Sequence, residues 1–258
     1  MKAIWAIATV VIKELYRRKD FYVLFVLTAL ITLLMGSLNF FSDEHVVRYL
    51  KEICLLLIWV SALVIAIITT ARQIPAEREN RTIFPLLAKP VSRAQVILGK
   101  FLGCWLACGL ALVVFYLFFG VVSAAREHAW PLASYFQALW LHWCLLAIVV
   151  ALALGGSLVF AAPSSNATIC FVVCLGILLV GRHLGKVALG LPEPSQTLLY
   201  AAYFAIPHLE LFDARQLIIH DWGPIAWPVW GLATVYAAAY TAFFLLAAWL
   251  VFRRKPLS

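Results

Sequence analysis

Charge is what this 258-residue sequence has least of. Asp, Glu, Lys and Arg together make up 12% of it, about half the share in an ordinary soluble domain. Hydrophobic residues make up 65% and mean hydropathy is +0.97. No soluble core of this length hides so much apolar surface. Soluble enzymes, nucleic-acid-binding domains and disordered linkers are therefore excluded together, and an integral membrane protein is expected. The net charge of +8 then has to be read through membrane topology, and it calls for no nucleic-acid partner.

A nucleotide-binding loop is lacking too. Gly99-Lys100 is the only suggestive pair, but Ala94 stands where the first glycine of a phosphate loop belongs and Phe101 where its Ser or Thr belongs. No catalytic residue and no cofactor is expected in this chain. The six cysteines all sit in apolar runs and imply no disulfide framework. Cys104/Cys108 and Cys170/Cys174 lie four apart, a spacing of small residues at helix-packing faces more than of a soft-metal path. No two of the six histidines have ligand spacing, so no metal site is expected.

What is there is apolar length. Six stretches suffice to cross a hydrocarbon core: Phe21–Phe41, Ile53–Ala71, Phe101–Ser123, Ala138–Ala161, Ala167–Gly181 and Ala226–Phe252. Orientation follows from the basic residues. With the N-terminus inside, Lys2, Lys13, Arg17, Arg18, Lys19, Arg72, Arg78, Arg81, Lys89, Arg93, Lys100, Arg253, Arg254 and Lys255 all face the cytoplasm. Six basic residues then remain outside, against eight of the twelve acidic ones. Both termini are expected inside a bacterial-type inner membrane.

None of these spans contains Asp, Glu, Lys or Arg, and His142 lies near the outer end of the fourth. Ion-coupled carriers and intramembrane proteases keep ionisable groups at depth despite their cost, so neither class fits. If this protein moves something, the energy arrives from outside the chain.

Before the first span, Ile4, Ala8, Val11, Ile12 and Leu15 share one helical face and Lys2, Thr9, Lys13 and Arg17 the other, with Ile7 and Val10 spoiling the pattern. This predicts an amphipathic helix in the inner interface, its basic end near anionic headgroups. The alternative is a plain extension of the first span. Polar residues concentrate between spans two and three, where Pro75 and Pro90 bracket Ile83, Phe84, Leu86 and Leu87. Four large apolar residues in five positions favour a short docking helix over a solvated loop. Glu77 and Arg81 lie four apart, as helix neighbours do.

The stretch Glu77-x-x-x-Arg81-Thr82-x-x-x-Leu86-Leu87-Ala88-Lys89-Pro90-Val91-Ser92-Arg93, followed by Gly99-Lys100, resembles the signature of the type-2 permease family of ABC transporters. Arg81 stands where many members have Gly, and Pro85 falls inside the expected short helix. The resemblance implies an all-α membrane domain of six spans with an interfacial entry helix, a coupling helix between spans two and three, and outer re-entrant helices between spans five and six. It implies a dimer, with a second copy or a homologous permease, bound to two copies of a cytoplasmic ABC ATPase that holds ATP and magnesium. Glu77, Arg81 and Thr82 would open the coupling helix, Leu86 and Leu87 would enter a groove of the ATPase, and Pro90 with Arg93 would turn the chain into span three. The second inner loop, Ala162–Asn166, is tiny and uncharged.

As a single transmembrane domain the chain divides into an interfacial helix (1–20), spans one and two (21–71), the cytoplasmic segment (72–100) and spans three to five (101–181). An outer segment (182–225), span six (226–252) and a basic tail (253–258) complete it. In the outer segment Pro192, Pro194, Pro207 and Pro224 break the chain into short pieces. Ile206-Pro207-His208-Leu209-Glu210-Leu211-Phe212 resembles a Pro-Asn-Leu-Glu-x-Phe stretch in part of the same family, making Pro207, Glu210 and Phe212 outer-gate candidates. An uncharged pathway suits lipid-linked, amphipathic or hydrophobic molecules better than small ions; the resemblance implies export of a lipid-like, amphipathic or glycan substrate amid membrane lipids. The alternative function is a non-transporting anchor or signalling component that recruits a cytoplasmic ATPase. A lipid-modifying enzyme would have to use the outer His208/Glu210/Asp213/His220 group.

Overall fold

In a computed structural model the described residues are 2–17, 44–79, 91–127, 131–190 and 192–254, with five positions between 22 and 33. The expected first span, Phe21–Phe41, lies largely outside them. Among the described residues there are helices and turns but no strands. The helices are α1 (Lys2–Tyr16), α2 (Glu44–Ala71), α3 (Gln73–Glu79), α4 (Arg93–Glu127), α5 (Leu132–Val159), α6 (Pro163–Ala188), α7 (Ser195–Ala205), α8 (Arg215–Ile219) and α9 (Trp227–Arg254). A 3-10 turn, Leu209–Phe212, sits between α7 and α8. Five runs are long and apolar enough to cross a membrane: Lys51–Glu79, Arg93–Ala124, Leu132–Val159, Pro163–Gly181 and Trp227–Arg254.

The bundle is built around α5. Its sequence is apolar on every face, and a helix of that kind has to be surrounded. Leu145, Leu146, Val150, Ala151, Ala153 and Leu154 are all fully buried, and α9, α2, α4 and α6 pack around them. By contrast α6 and α9 keep one apolar face outward, with Leu179 70% and Val235 66% exposed, as befits helices that meet lipid or another subunit.

Helix α1 lies against α4 through glycine. A Cβ on Gly99 would come within 2.7 Å of Ile7 Cβ, and one on Gly103 within 2.7 Å of Val11 Cβ. Two glycines four apart let the backbones approach as no larger residue would. Ile7, which spoils the amphipathic pattern, therefore belongs to the packed face, with Ala8, Val11 and Leu15. Between α4 and α5 two indoles pair reciprocally. Trp105 Nε1 donates to Trp143 O at 3.0 Å, Trp143 Nε1 donates to Trp105 O at 3.2 Å, and the rings stack with centroids 4.8 Å apart.

Several boundaries depart from expectation. The second span does not end at Ala71. Pro75 offers no N–H to the Ala71 carbonyl, yet Ala76 N resumes the ladder by donating to Arg72 O at 3.0 Å, so the helix is interrupted only at Arg72 and continues as α3 to Glu79. The fifth span starts four residues earlier than expected, at Pro163, and its helix continues past Gly181 to Ala188. Pro163 fits the first turn, where a missing N–H is no loss. Asn166, expected in a loop, is fully buried and donates from Nδ2 to Ala153 O at 2.9 Å. The second inner loop shrinks accordingly to Phe160–Ala162. Likewise α4 begins at Arg93, so Gly99 and Lys100 lie inside the helix that carries span three.

Candidate functional site

At the basic end of the bundle, marked by Arg93, Arg253 and Arg254, three span-bearing helices are tied together by side chains. The entry to α4 is a reciprocal capping box: Gln95 N donates to Ser92 Oγ at 3.2 Å and Ser92 N donates to Gln95 Oε1 at 2.9 Å. The cap fixes where α4 starts and hence where Arg93 points. Arg93 Nη1 donates to the carbonyls of Phe252 and, at 3.0 Å, of Arg253. Its guanidinium also lies 5.4 Å from the Phe252 ring centroid. A cation on the last carbonyls of α9 satisfies groups that have no partner within the helix and matches the helix dipole.

Two turns further along α4, Lys100 is 2% exposed. Its ammonium donates to Glu77 Oε1 at 2.7 Å, to Gln73 O at 3.1 Å and to Gln73 Oε1 at 3.4 Å. An ammonium has three donors, and here each has an acceptor. A buried cation survives in a low dielectric only when paired and hydrogen-bonded in this way. Glu77 and Gln73 lie one turn apart on α3, so a single lysine holds both turns of that short helix against span three.

Of the residues expected at this site, Glu77 and Arg93 are brought to one end of α4. Arg81, Thr82, Leu86, Leu87 and Pro90 lie outside the described residues. Sequence reasoning missed Lys100, Gln73, Ser92 and Gln95 as site residues. The signal was present: Ser92-x-x-Gln95 is a capping-box pattern, and Lys100 follows Arg93 by seven residues, two turns on roughly the same helix face.

At the opposite end, residues 207–219 of the segment between α6 and α9 pack into the bundle as a plug, while α7 before them keeps Leu198 and Phe204 exposed. Leu209, Phe212, Leu217, Ile218 and Ile219 are buried. Pro207 is buried, Phe212 packs 6.3 Å from the Tyr236 ring, and Glu210 lies against Gly181 of α6. The three gate candidates thus share one compact unit wedged between α6 and α9. His208 Nδ1 lies 3.2 Å from Glu210 Oε1, and His208 N donates to Tyr236 Oη at 2.9 Å.

The neighbouring polar groups here are also paired. Arg215 meets Asp213 through Nε at 2.7 Å and Nη2 at 2.8 Å, and lies 5.2 Å from the Trp59 ring. Burial works against a charged Arg215, but the bidentate carboxylate outweighs it and holds the guanidinium's pKa above its ordinary value. Lys51 at the start of span two reaches Asp221 and the Ile218 carbonyl, each at 3.4 Å. Gln137 clamps the entry to α9, donating from Nε2 to Ile225 O at 2.9 Å and accepting from Ile225 N at 2.8 Å.

The outer His208/Glu210/Asp213/His220 group does not converge, since Asp213 turns to Arg215 and His220 stacks on Trp222 at 5.2 Å. His142, near the outer end of the fourth expected span, is enclosed by protein. It is 1% exposed, with Tyr116 Oη 3.5 Å from its Nδ1 and the Trp59 ring 6.3 Å away. Among the described residues, charge is thus stationed at the two ends of the bundle, with an apolar middle between.

The model of the family described as ABC-2 family transporter protein matches residues 5–255. No curated protein matches the chain.

Proposed function

Because the chain belongs to the ABC-2 family of transporter proteins, as its multi-pass permease component, we propose that it forms the substrate pathway as a dimer driven by a separate ABC ATPase at its basic end. The observation that carries this reading is the triple tie at that end. Lys100 joins α3 to α4 through Glu77 and Gln73, and Arg93 joins α4 to the end of α9. A partner that moves the segment between Glu79 and Val91 pulls on the extension of span two, on span three and on span six together. Packed helices respond to such a pull as rigid bodies.

The basic end faces the cytoplasm, with both termini there, in keeping with the positive-inside rule. Two copies of the permease engage two copies of the ATPase, which bind ATP and magnesium. This chain performs no hydrolysis itself. The cargo is lipid-like, amphipathic or a glycan, and moves outward past the plug that holds Pro207, Glu210 and Phe212. Those outward motions displace the plug because its buried apolar residues rest on α2 and α5.

The test is co-purification followed by flux. Isolated from its native membrane, the protein should bring down a soluble ATPase carrying Gly-x-x-x-x-Gly-Lys-Ser/Thr, and the complex in vesicles should show ATP-dependent movement of a lipid or glycan cargo. Glu210→Gln should alter flux while ATP hydrolysis persists. Isolation without an ATPase, with wild-type function in cells lacking any such partner, refutes the proposal. Co-purification without flux favours an anchor.

A further inference from the structure

Helices α1 and α4 are in close contact at Gly99 and Gly103. Next to these contacts an open groove of about 780 Å³ is lined by Leu15, Leu106, Leu110 and Val114, nearly all of it apolar. Leu110 is 62% exposed, too apolar a surface to face water. Two cations, Lys13 and Arg17, stand one helical turn apart on its rim. Tyr16 and Tyr22 close the same end, their rings edge to face at 5.9 Å and Tyr22 Oη donating to Tyr16 O at 2.9 Å. The neighbouring Glu14 belongs to a second groove, with Val10, Lys13 and Arg17, and does not line the apolar one.

From this geometry we propose that the groove holds one anionic phospholipid of the leaflet at the basic end, its acyl chain along Leu106–Val114 and its phosphodiester between Lys13 and Arg17. The charge pattern selects the occupant. An apolar floor alone accepts any acyl chain, but two cations one turn apart complement a phosphate that lacks a positive headgroup. A zwitterionic lipid brings its own cation to the same place and gains less. Long basic side chains can snorkel toward the headgroup level while their stems cover the floor. The paired tyrosines suit the same depth, with ring in the acyl region and hydroxyl at the polar boundary. Bound there, the lipid would brace α1 against span three one turn beyond the glycine contacts. The inference is independent of which cargo the protein moves.

The experiment uses the full-length protein reconstituted in vesicles of phosphatidylcholine and phosphatidylglycerol at three to one, then extracted in mild detergent, with co-purifying lipids quantified by mass spectrometry. Each basic side chain near an anionic surface is worth roughly a five-fold preference. Retained phosphatidylglycerol should therefore be enriched on the order of ten-fold over the bulk ratio. Lys13→Gln/Arg17→Gln should bring the ratio close to bulk, and Leu110→Trp should reduce retention of both lipids. All three residues are exposed, so the variants should elute as the wild type does. The distant pair Arg253→Gln/Arg254→Gln should leave the enrichment intact. Retention at the bulk ratio by the wild type, unchanged enrichment in the Lys13/Arg17 variant, or an equal loss in the Arg253/Arg254 variant would each overturn the proposal.

Discussion

Lys100, almost wholly buried in the helix of span three, donates a 2.7 Å hydrogen bond to Glu77 on the continuation of span two. The pair lies about 10 Å along α4 from Arg93, at 1.5 Å per residue. It is the principal polar link, among the described residues, between the two helices that flank the segment Asn80–Pro90.

Removing one partner should cost far more than removing both. Glu77→Gln leaves a buried ammonium without its counter-charge, and breaking such pairs costs about 3 kcal/mol or more. The low end applies because the Glu77 side chain is 28% exposed. Glu77→Gln and Lys100→Met alone should each lower the melting temperature in detergent markedly, and the double variant should recover most of the loss. Additive losses in that cycle would mean the two side chains are not coupled.

Glycine substitutions should separate by location. Gly99→Ala and Gly103→Ala each drive a Cβ into the Cβ of a facing residue and toward a carbonyl of α1, so α1 has to move, at a cost of about 1–3 kcal/mol. Limited proteolysis should then cut near residues 16–18 faster. Gly231, within α9, has open space within 4 Å of where a Cβ would sit, and Gly231→Ala should be neutral or stabilising by up to about 1 kcal/mol. Equal behaviour at all three positions would contradict the close packing of α1 on α4.

Arg93→Ala should loosen the end of span six without unfolding the bundle. The carbonyls of Phe252 and Arg253 lose a charged donor, worth about 1 kcal/mol at a helix C-terminus. Hydrogen exchange should quicken in the last turn of α9 and stay unchanged in α5. Arg93→Lys should restore protection only in part, since an ammonium lacks the planar face that covers Phe252.

The outer ion pair should contribute stability that is flat on the alkaline side. The Arg215 pKa is raised in the folded protein, so its share is fully present below the unfolded value and fades only as pH climbs through the folded one. For an arginine that lies beyond ordinary buffers. Between about pH 7 and about pH 9 thermal stability should show no step from this pair, while Asp213→Asn should lower it at every pH tested. A stability loss in that window that disappears in Asp213→Asn would contradict the assignment.

Much of the bundle is legible in the sequence because hydropathy reports directly on lipid contact: the apolar cores of the five described spans fall where their runs predict. The ends are not. Arg93 to Lys100 reads as polar connector, yet it is helix, since a capping box and a tertiary partner for Lys100 override local polarity. Lys100 and Glu77 are 23 residues apart, and no periodicity within either segment announces their meeting. His142 reads only as a residue near the outer end of a span, and nothing local tells that Tyr116 and Trp59, from two other helices, enclose it. The plug is visible as short proline-broken pieces, but its pairings join residues that only folding brings together, such as Lys51 with Asp221 and Gln137 with Ile225.

Site-specific photo-crosslinking tests most directly whether a separate motor grips the basic end. A photoreactive side chain at Glu79, exposed at the end of α3, should form an adduct with a soluble ATPase in intact cells. The same probe at Trp222, exposed at the opposite end, should form none. Absence of an ATPase adduct at Glu79, or equal adducts from both positions, would contradict the account.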